Sequence, residues 1–486
     1  MRVVFLHVGA ESLGIGYLAS ILRENGHKAE LLFDPSPFGG RLTVESPLLA
    51  RLTDISRKIV GRLSNNPPDV IGFATFTDTF RWVNSIAGKI RPGFTGKIIL
   101  GGVHASLCPG ESLSRNYTDA ILVGEGEISL PLYLKALESG EPADVPGVYT
   151  SDETYNDFPG SPIVENLDEI PFPAKELFYE KVPVLEEHYM IISGRGCPFR
   201  CTYCCSEAMR EVCGGAKYVR RRSVENVIEE LRTWKRRGRM KLVVFRDDVF
   251  TTSTKWLEKF NNAYKSEIGL PFFCYTYPGT LNEVRADLLR DSGCVFVTMG
   301  VQSADETTRE KVLKRHHTNE SIIETARILK ERGIRLSVDH IIGVPGETLK
   351  HLHDAASFYN NLRPDRTLIF WLNYYPGTAL FEEARDTGAL SEAQVKGVLD
   401  GEIPFRNLGG MVTECRRPRL QFMLLLSTLP MIPRRLADFV IRMHLYRLIP
   451  PAFPLYNLSL LVNALRIKDT MFFHTVKYAL SRKRVP

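Results

Sequence analysis

A chain of 486 residues, 44% hydrophobic and 24% charged, is long enough for two or three well-buried domains and too ordinary in composition for a disordered or fibrous protein. The net charge of +6 is unevenly placed: from Cys415 to Pro486 thirteen Lys/Arg stand against two Asp/Glu, which leaves residues 1–414 slightly acidic. The body therefore lacks the basic surface of a nucleic-acid binder, whereas the tail suits an acidic partner or a membrane surface.

The first residues, "MRVVFLHVGAES", lack the basic, apolar and cleavage regions of a signal peptide and read as a buried strand entering a loop. "IGYLASILRENGH" follows with helical spacing and a glycine stop, then strand "KAELLF", strand "PDVIGFATF", helix "DTFRWVNSIAGKIRPG" and strands "KIILGG" and "DAILVGEGE". Strands alternating with helices predict a Rossmann-like parallel sheet over residues 1–146, with ligands at the strand carboxyl ends. Residues 147–184, rich in Pro, Asp and Tyr, read as a linker. The alternation resumes over 185–378, where "YMIISGRG", "KLVVFRDD", "FFCYTY", "CVFVTMGVQS", "RLSVDHIIGVPGE" and "DRTLIFWLNYYPG" are strand-like. Six strand–helix repeats predict a partial (β/α)6 barrel, whose unusual residues all fall at the strand carboxyl ends, where barrels place their sites. The fold class is thus α/β, with a basic helical region over 379–486.

Of nine cysteines, five crowd between 197 and 213, which suits a reducing compartment better than a secreted disulfide scaffold. "GRGCPFRCTYCC" spaces Cys197, Cys201 and Cys204 as C-x-x-x-C-x-x-C. A structural zinc site wants four ligands, normally as two separated pairs, and no second pair occurs. Three thiolates instead suit three irons of a [4Fe–4S] cluster with the fourth iron open. The pattern, with Tyr203 as its aromatic, resembles the signature of the radical S-adenosylmethionine enzymes. The resemblance implies that Cys197, Cys201 and Cys204 ligate the cluster, that the open iron binds the amino and carboxylate groups of S-adenosylmethionine, and that a reducing partner supplies an electron for its cleavage. Cys205 and Cys213 stand outside the triad.

Three further stretches fit that family in order. "FRDDVFT" closes the second barrel strand, where a polar group faces the methionyl amine, and offers Asp247 and Asp248, an acidic pair that also suits a helix N-terminus. "MGVQS" on the fourth resembles the ribose-contacting segment and points to Gln302 and Ser303. "IIGVPGET" on the fifth resembles the Gly-rich adenine motif, with Gly343 and Gly346 allowing close backbone approach.

In residues 1–146, "ESLGIGYLASILRENGHKAELL", "DVIGFATFTDTF", "LGGVHAS" and "LVGEGE" resemble the cobalamin-binding domain of cobalamin-dependent members of the family. That implies Gly101, Gly102, Gly124, Glu125 and Gly126 beside one crevice, with Thr75 and Thr77 offering hydroxyls to a nucleotide tail. The D-x-H-x-x-G motif that supplies a cobalt ligand in many cobalamin proteins is absent, and the lone His7 and His104 read as loop or core residues. The implied reaction is methylation of an unactivated carbon in a small-molecule or lipid-like intermediate. Adenosyl-radical oxidation or cyclisation is the second reading, and a non-catalytic iron–sulfur and cobalamin sensor the third. The sequence indicates a cytoplasmic protein. "RRLADFVIRMHLYRLI" in the tail suits either a helical cap on the barrel mouth or an interfacial helix at the inner face of a membrane.

Overall fold

Strand β1 (Arg2–Val8) is buried at every position after the first, as a strand covered on both faces must be. The structure, a computed structural model, describes residues 1–35, 55–140, 144–150, 160–402, 416–450 and 452–481. Parts of the expected linker (151–159) and tail (403–415, 451 and 482–486) lie outside the described residues.

β1 pairs in parallel with β2 (Lys28–Asp34) on one side and β3 (Val70–Ala74) on the other. β4 (Lys97–Gly101) and β5 (Ala120–Leu122) continue the parallel sheet, and β6 (Val148–Tyr149), unforeseen in the sequence, closes it antiparallel. The order β2-β1-β3-β4-β5-β6 is the doubly wound pattern whose crevice opens where chain direction reverses, between β1 and β3. "DAILVGEGE" divides into the short β5 and a loop that starts the helix Gly126–Ser139.

The expected linker is a wedge. Pro173 lies so close to the helix Leu13–Glu24 that a Cβ on Gly16 would sit 2.9 Å from the Pro173 Cβ, and the Ala174 N–H donates to the Gly16 carbonyl (3.0 Å). Phe178, Tyr179 and Val182 enter the main core. The ammonium of Lys175, 1% exposed, pairs with Glu11 (2.8 Å) and lies 4.1 Å from the Tyr189 ring centroid. A buried charge persists only when paired in this way, so the wedge joins the two sheets firmly.

All six expected barrel strands form: β7 (His188–Ile191), β10 (Leu242–Phe245), β11 (Phe272–Thr276), β12 (Cys294–Gln302), β13 (Arg335–Ile342) and β14 (Arg366–Trp371), parallel and in sequence order. A two-stranded ribbon, β8 (Gly194–Arg195) with β9 (Arg220–Arg221), brackets the cysteine loop. The tail is helical, but the expected cap on the barrel mouth is not where most of it goes. Ile467 and Met471 pack on Leu242, Val244, Phe273 and Phe296, at the amino-terminal ends of the strands. Helix Thr470–Leu480 continues to the first domain, where the Tyr478 hydroxyl donates to the Gly9 carbonyl. Arg419 reaches the mouth, pairing with Glu347 (3.3 Å) of the Gly-rich loop, and the Leu380 N–H donates to the Thr202 carbonyl (2.9 Å) of the cysteine loop.

Candidate active site at the junction of the two sheets

A cavity of about 950 Å³ lies where the carboxyl ends of the first sheet face the barrel mouth. One wall carries Gly101, Gly102, Gly124, Glu125 and Gly126; the other carries Gly194, Gly196, Arg246 and Asp248. The volume is at the upper end of ligand pockets, about 300–1,000 Å³.

Glycine backbone forms part of the first wall, among apolar side chains such as Phe73, Phe76 and Leu122. Gly102 has φ +94°, and a Cβ there would lie 2.7 Å from the Thr75 carbonyl, so only glycine lets β3 and β4 approach. Gly101 has room, its nearest neighbour to an added Cβ being Leu122 at 3.7 Å. A large cofactor can therefore lie against peptide groups at this wall. Thr75 and Thr77 are not on it. The Thr75 hydroxyl donates to the Gly101 carbonyl (2.8 Å) and accepts from the Ala105 N–H (3.1 Å), while that of Thr77 meets His104 Nδ1 (3.1 Å). Both expected hydroxyls are occupied, that of Thr75 in tying two strand ends and that of Thr77 in joining the helix starts that follow them. His104 stays in the core against Phe80, and burial lowers its pKa to about 4; His7 lines the cavity but meets the Ala10 carbonyl through Nε2 (2.9 Å).

Glu125 belongs to a clamp between the domains. Arg195, in the Gly-Arg-Gly entry to the cysteine loop, reaches Glu125 (3.2 Å) and Glu127 (2.5 Å), and Arg220 grips Glu125 from the ribbon. Burial raises the Glu125 carboxyl, but Arg220 and Arg195 outweigh it and hold it below its ordinary range. Arg195 also lies over the Tyr17 ring, 5.4 Å from its centroid. The loop that carries the cysteines is thus bolted to the loop that carries the first sheet's glycines.

The cysteine loop is fixed from three sides. A Cβ on Gly196 (φ +81°) would lie 2.6 Å from the Tyr218 carbonyl. Phe199 stacks on Tyr277 of the barrel with centroids 3.6 Å apart, and the Thr202 hydroxyl donates to the Val312 carbonyl (2.6 Å). Arg315, buried beneath the loop, donates through Nη1 to Cys201 Sγ (3.3 Å) and to the Tyr203 hydroxyl (3.2 Å), and its Nε has no partner among the described residues. Burial pushes the Cys197 and Cys204 thiols up to about 12. Such thiols ionise only when a metal compensates, and Arg315 adds positive charge for a group with anionic ligands. No three His, Cys, Asp or Glu side chains among the described residues converge as ligands of one ion. Three soft donors on a tight loop, each free to take a separate metal atom, fit an iron–sulfur cube.

The acidic pair of the second barrel strand separates by role. Asp247 accepts from the Ser193 N–H (3.0 Å) and hydroxyl (2.5 Å) beneath the surface, a staple between β7 and β10. Asp248 faces the cavity, exposed to it yet walled by protein, and desolvation raises its carboxyl. Ser206 donates to it (2.8 Å), leaving its other oxygen for a ligand. On the fourth strand a bulge puts Gln302 in the left-handed region (φ 68°), costly for a non-glycine residue, and folds its amide back over Gly300. Ser303 is buried, its hydroxyl accepting from the Asp305 N–H (3.2 Å). The Gly343 N–H donates to Glu347 (2.8 Å), and Gly346 (φ +79°) has nothing within 4 Å of an added Cβ.

Sequence reasoning passed over Arg315, Arg195, Arg220, Arg246 and Asp339. Arg315 lies in "VLKRHH", read only as a charged segment. Asp339 is level with Gly300 and Leu368 in the strand register, with Oδ1 unpartnered among the described residues.

Residues 3–134 match the B12 binding domain family and residues 191–359 the Radical SAM superfamily. An uncharacterised methyltransferase of Pyrococcus horikoshii is 28% identical over 382 residues, 76% of this chain and 78% of that one. The anaerobic magnesium-protoporphyrin IX monomethyl ester cyclase of Rubrivivax gelatinosus is 25% identical over 417 residues, 79% of this chain and 70% of its own. Among solved structures, the radical S-adenosylmethionine methyltransferase TsrM of Kitasatospora setae, with tryptophan and an S-adenosylmethionine analogue bound, superposes with a TM-score of 0.64 at 19% identity, covering 80% of this chain and 77% of that one. The two share a fold.

Proposed function

Because the chain belongs to the cobalamin-dependent radical S-adenosylmethionine enzymes, we propose that it methylates an unactivated carbon of a small-molecule or lipid-like biosynthetic intermediate. The observation that carries this is the shared cavity. Strand ends of the cobalamin-binding sheet and of the barrel open into one space of about 950 Å³, so that two reactive groups can address one substrate.

When bound, the cluster supplies an electron for cleavage of S-adenosylmethionine, and cobalamin supplies a transferable methyl group. The chain's own residues hold and orient. Cys197, Cys201 and Cys204 take the cluster, with Arg315 beneath Cys201 fixing the loop and offsetting negative charge. Asp248 meets the methionyl amine, Gln302 and Ser303 the ribose, and Gly343 and Gly346 the adenine. Gly101, Gly102, Gly124 and Gly126 let the corrin lie against backbone. Asp247, Thr75, Thr77 and Glu125 support these groups from behind. The Arg195–Glu125–Arg220 clamp keeps the two walls at constant separation. A reducing partner supplies the electron. A lipid-like substrate would bring the enzyme to a membrane, which the basic carboxyl-terminal region is suited to touch.

The test is anaerobic reconstitution with iron, sulfide and hydroxocobalamin, followed by desalting, dithionite and S-adenosylmethionine carrying a labelled methyl group. The reading expects near-stoichiometric cobalt, 5′-deoxyadenosine, and label in a product once substrate is found. Deoxyadenosine without retained cobalt would end the methyl-transfer reading. The similarity to the Rubrivivax gelatinosus cyclase favours adenosyl-radical oxidation or cyclisation as the second reading; it expects retained cobalt and deoxyadenosine with no label in the product.

A further inference from the structure

A helix on the surface of a folded protein ordinarily turns its polar side outward. Helix Phe453–Ile467 does not. Leu460, Ala464 and Ile467 face inward, while Leu455, Leu458, Leu461, Val462 and Leu465, spaced at three and four residues, are exposed. The preceding helix, Arg434–Arg442, shows the same inversion: Ala437 and Ile441 are buried, and Leu436, Phe439 and the following Met443 are exposed. The turn Leu445–Leu448 joins the two and carries the most exposed apolar side chain of the described residues, Leu448 at 80%. Of nineteen large apolar side chains exposed among the described residues, ten lie between Leu436 and Phe473. Scattered exposed leucines need no explanation, but a run of this density marks a contact surface.

The charges around this surface have one sign. Arg434, Arg435, Arg442, Arg447, Arg466 and Lys468 are exposed among the apolar residues. The two carboxylates of the region turn inward: Asp438 accepts from Asn360 (2.6 Å), and Asp469, 3% exposed, pairs with Arg366 (2.5 Å). No helix of the described residues is long and apolar enough to cross a membrane.

We propose that this surface, formed by residues 434–468, seats the enzyme on an anionic phospholipid bilayer, its leucines and Phe439 entering the acyl boundary while its cations meet lipid phosphates. A second copy of the chain fits less well, because an isologous contact would set these cations against themselves. Apolar insertion flanked by arginine and lysine is how interfacial helices bind anionic membranes. The proposal rests on the reading of the basic tail as membrane-facing and not on the reaction catalysed.

The experiment uses the reconstituted full chain and two sets of vesicles, pure phosphatidylcholine and phosphatidylcholine with phosphatidylglycerol, in a sedimentation assay. The protein should sediment with the anionic vesicles and not the neutral ones, and increasing salt should release it. Phe439→Asp with Leu458→Asp should reduce the bound fraction at least roughly tenfold, the factor expected when two such side chains leave hydrocarbon. Arg435→Glu with Arg442→Glu, which leaves every apolar residue in place, should also weaken binding. Both pairs should keep the wild-type melting temperature and 5′-deoxyadenosine formation, which separates this proposal from the catalytic one. Equal binding to both vesicle types, no binding to either, or a concentration-dependent dimer abolished by the aspartates would overturn it.

Discussion

The two walls of the central cavity use different chemistry. The first-sheet wall sets glycine backbone among apolar side chains: Gly101, Gly102, Gly124 and Gly126 line it with Phe73, Phe76 and Leu122, and the nearby hydroxyls of Thr75 and Thr77 are engaged behind it. The barrel wall presents charged side chains, Asp248 and Arg246, with Arg315 buried beneath the neighbouring cysteine loop. A broad cofactor such as a corrin needs shape and close approach, which small residues provide. A small, zwitterionic one needs charges at fixed points. Walls of such different chemistry suit one cavity to two different cofactors.

The largest expected effect comes from putting a side chain on a glycine of the first wall. Gly101→Val meets no clash at Cβ and no unfavourable φ, so the fold should survive while its methyl groups enter the cofactor space. Cobalt retained after desalting should fall to background with deoxyadenosine formation preserved. Retained cobalt would mean that the cofactor does not approach the Gly101 backbone. Gly102→Ala is the contrast. Its Cβ would meet the Thr75 backbone at a φ of +94°, so it should lower stability by roughly 1–3 kcal/mol and the melting temperature with it. On the barrel wall the expected effect is smaller. Asp248→Asn should raise the KM for S-adenosylmethionine about tenfold or more, the weight of a hydrogen bond to a charged group, without lowering the melting temperature. Asp247→Asn should do the reverse, because its carboxylate staples Ser193. Equal effects of the two would mean that the barrel wall does not act through placed charges.

Strand identity was legible in the sequence because both sheets are parallel and buried on both faces, so β1 and the six barrel strands appear as apolar runs. The cysteine triad was legible because its spacing is local. What the sequence hid was pairing over long separations. Arg195 and Glu125 lie 70 residues apart, and nothing in either stretch points to the other. Arg315 sits in a basic run that resembles a solvated helix face, and only folding brings it 3.3 Å from Cys201 Sγ. Thr75 and Thr77 were misplaced because a strand end offers two directions. The Thr75 hydroxyl took the inward one, where the Gly101 carbonyl of the neighbouring strand needed a donor, and that of Thr77 met the His104 ring. The Pro-rich stretch before residue 184 read as a linker for lack of periodicity, yet Lys175 and Phe178 bury it by contacts that follow no period.

Changes of pH should act more weakly, and in the barrel interior. The barrel interior holds Asp339, whose carboxyl burial pushes up to about 7 against the pull of Arg366 and Arg315. Its unfolded value is near 3.9. Between those values the folded state binds the extra proton, so stability must fall as pH rises from about 4 to 7; the contribution is fully present below the window and lost above it. At about 1.4 kcal/mol for each pH unit separating the two titrations, a few kcal/mol is the upper limit, or several degrees of melting temperature. Burial also raises the carboxyls of Glu11, Asp247, Asp248 and Glu347, so the quantity to measure is the difference between wild type and Asp339→Asn in the absence of S-adenosylmethionine. The variant should lose this part of the slope and gain relative to wild type on passing from pH 5 to pH 8. Parallel curves would place the Asp339 carboxyl in contact with water, and the barrel lumen would then be wetter than its lining indicates.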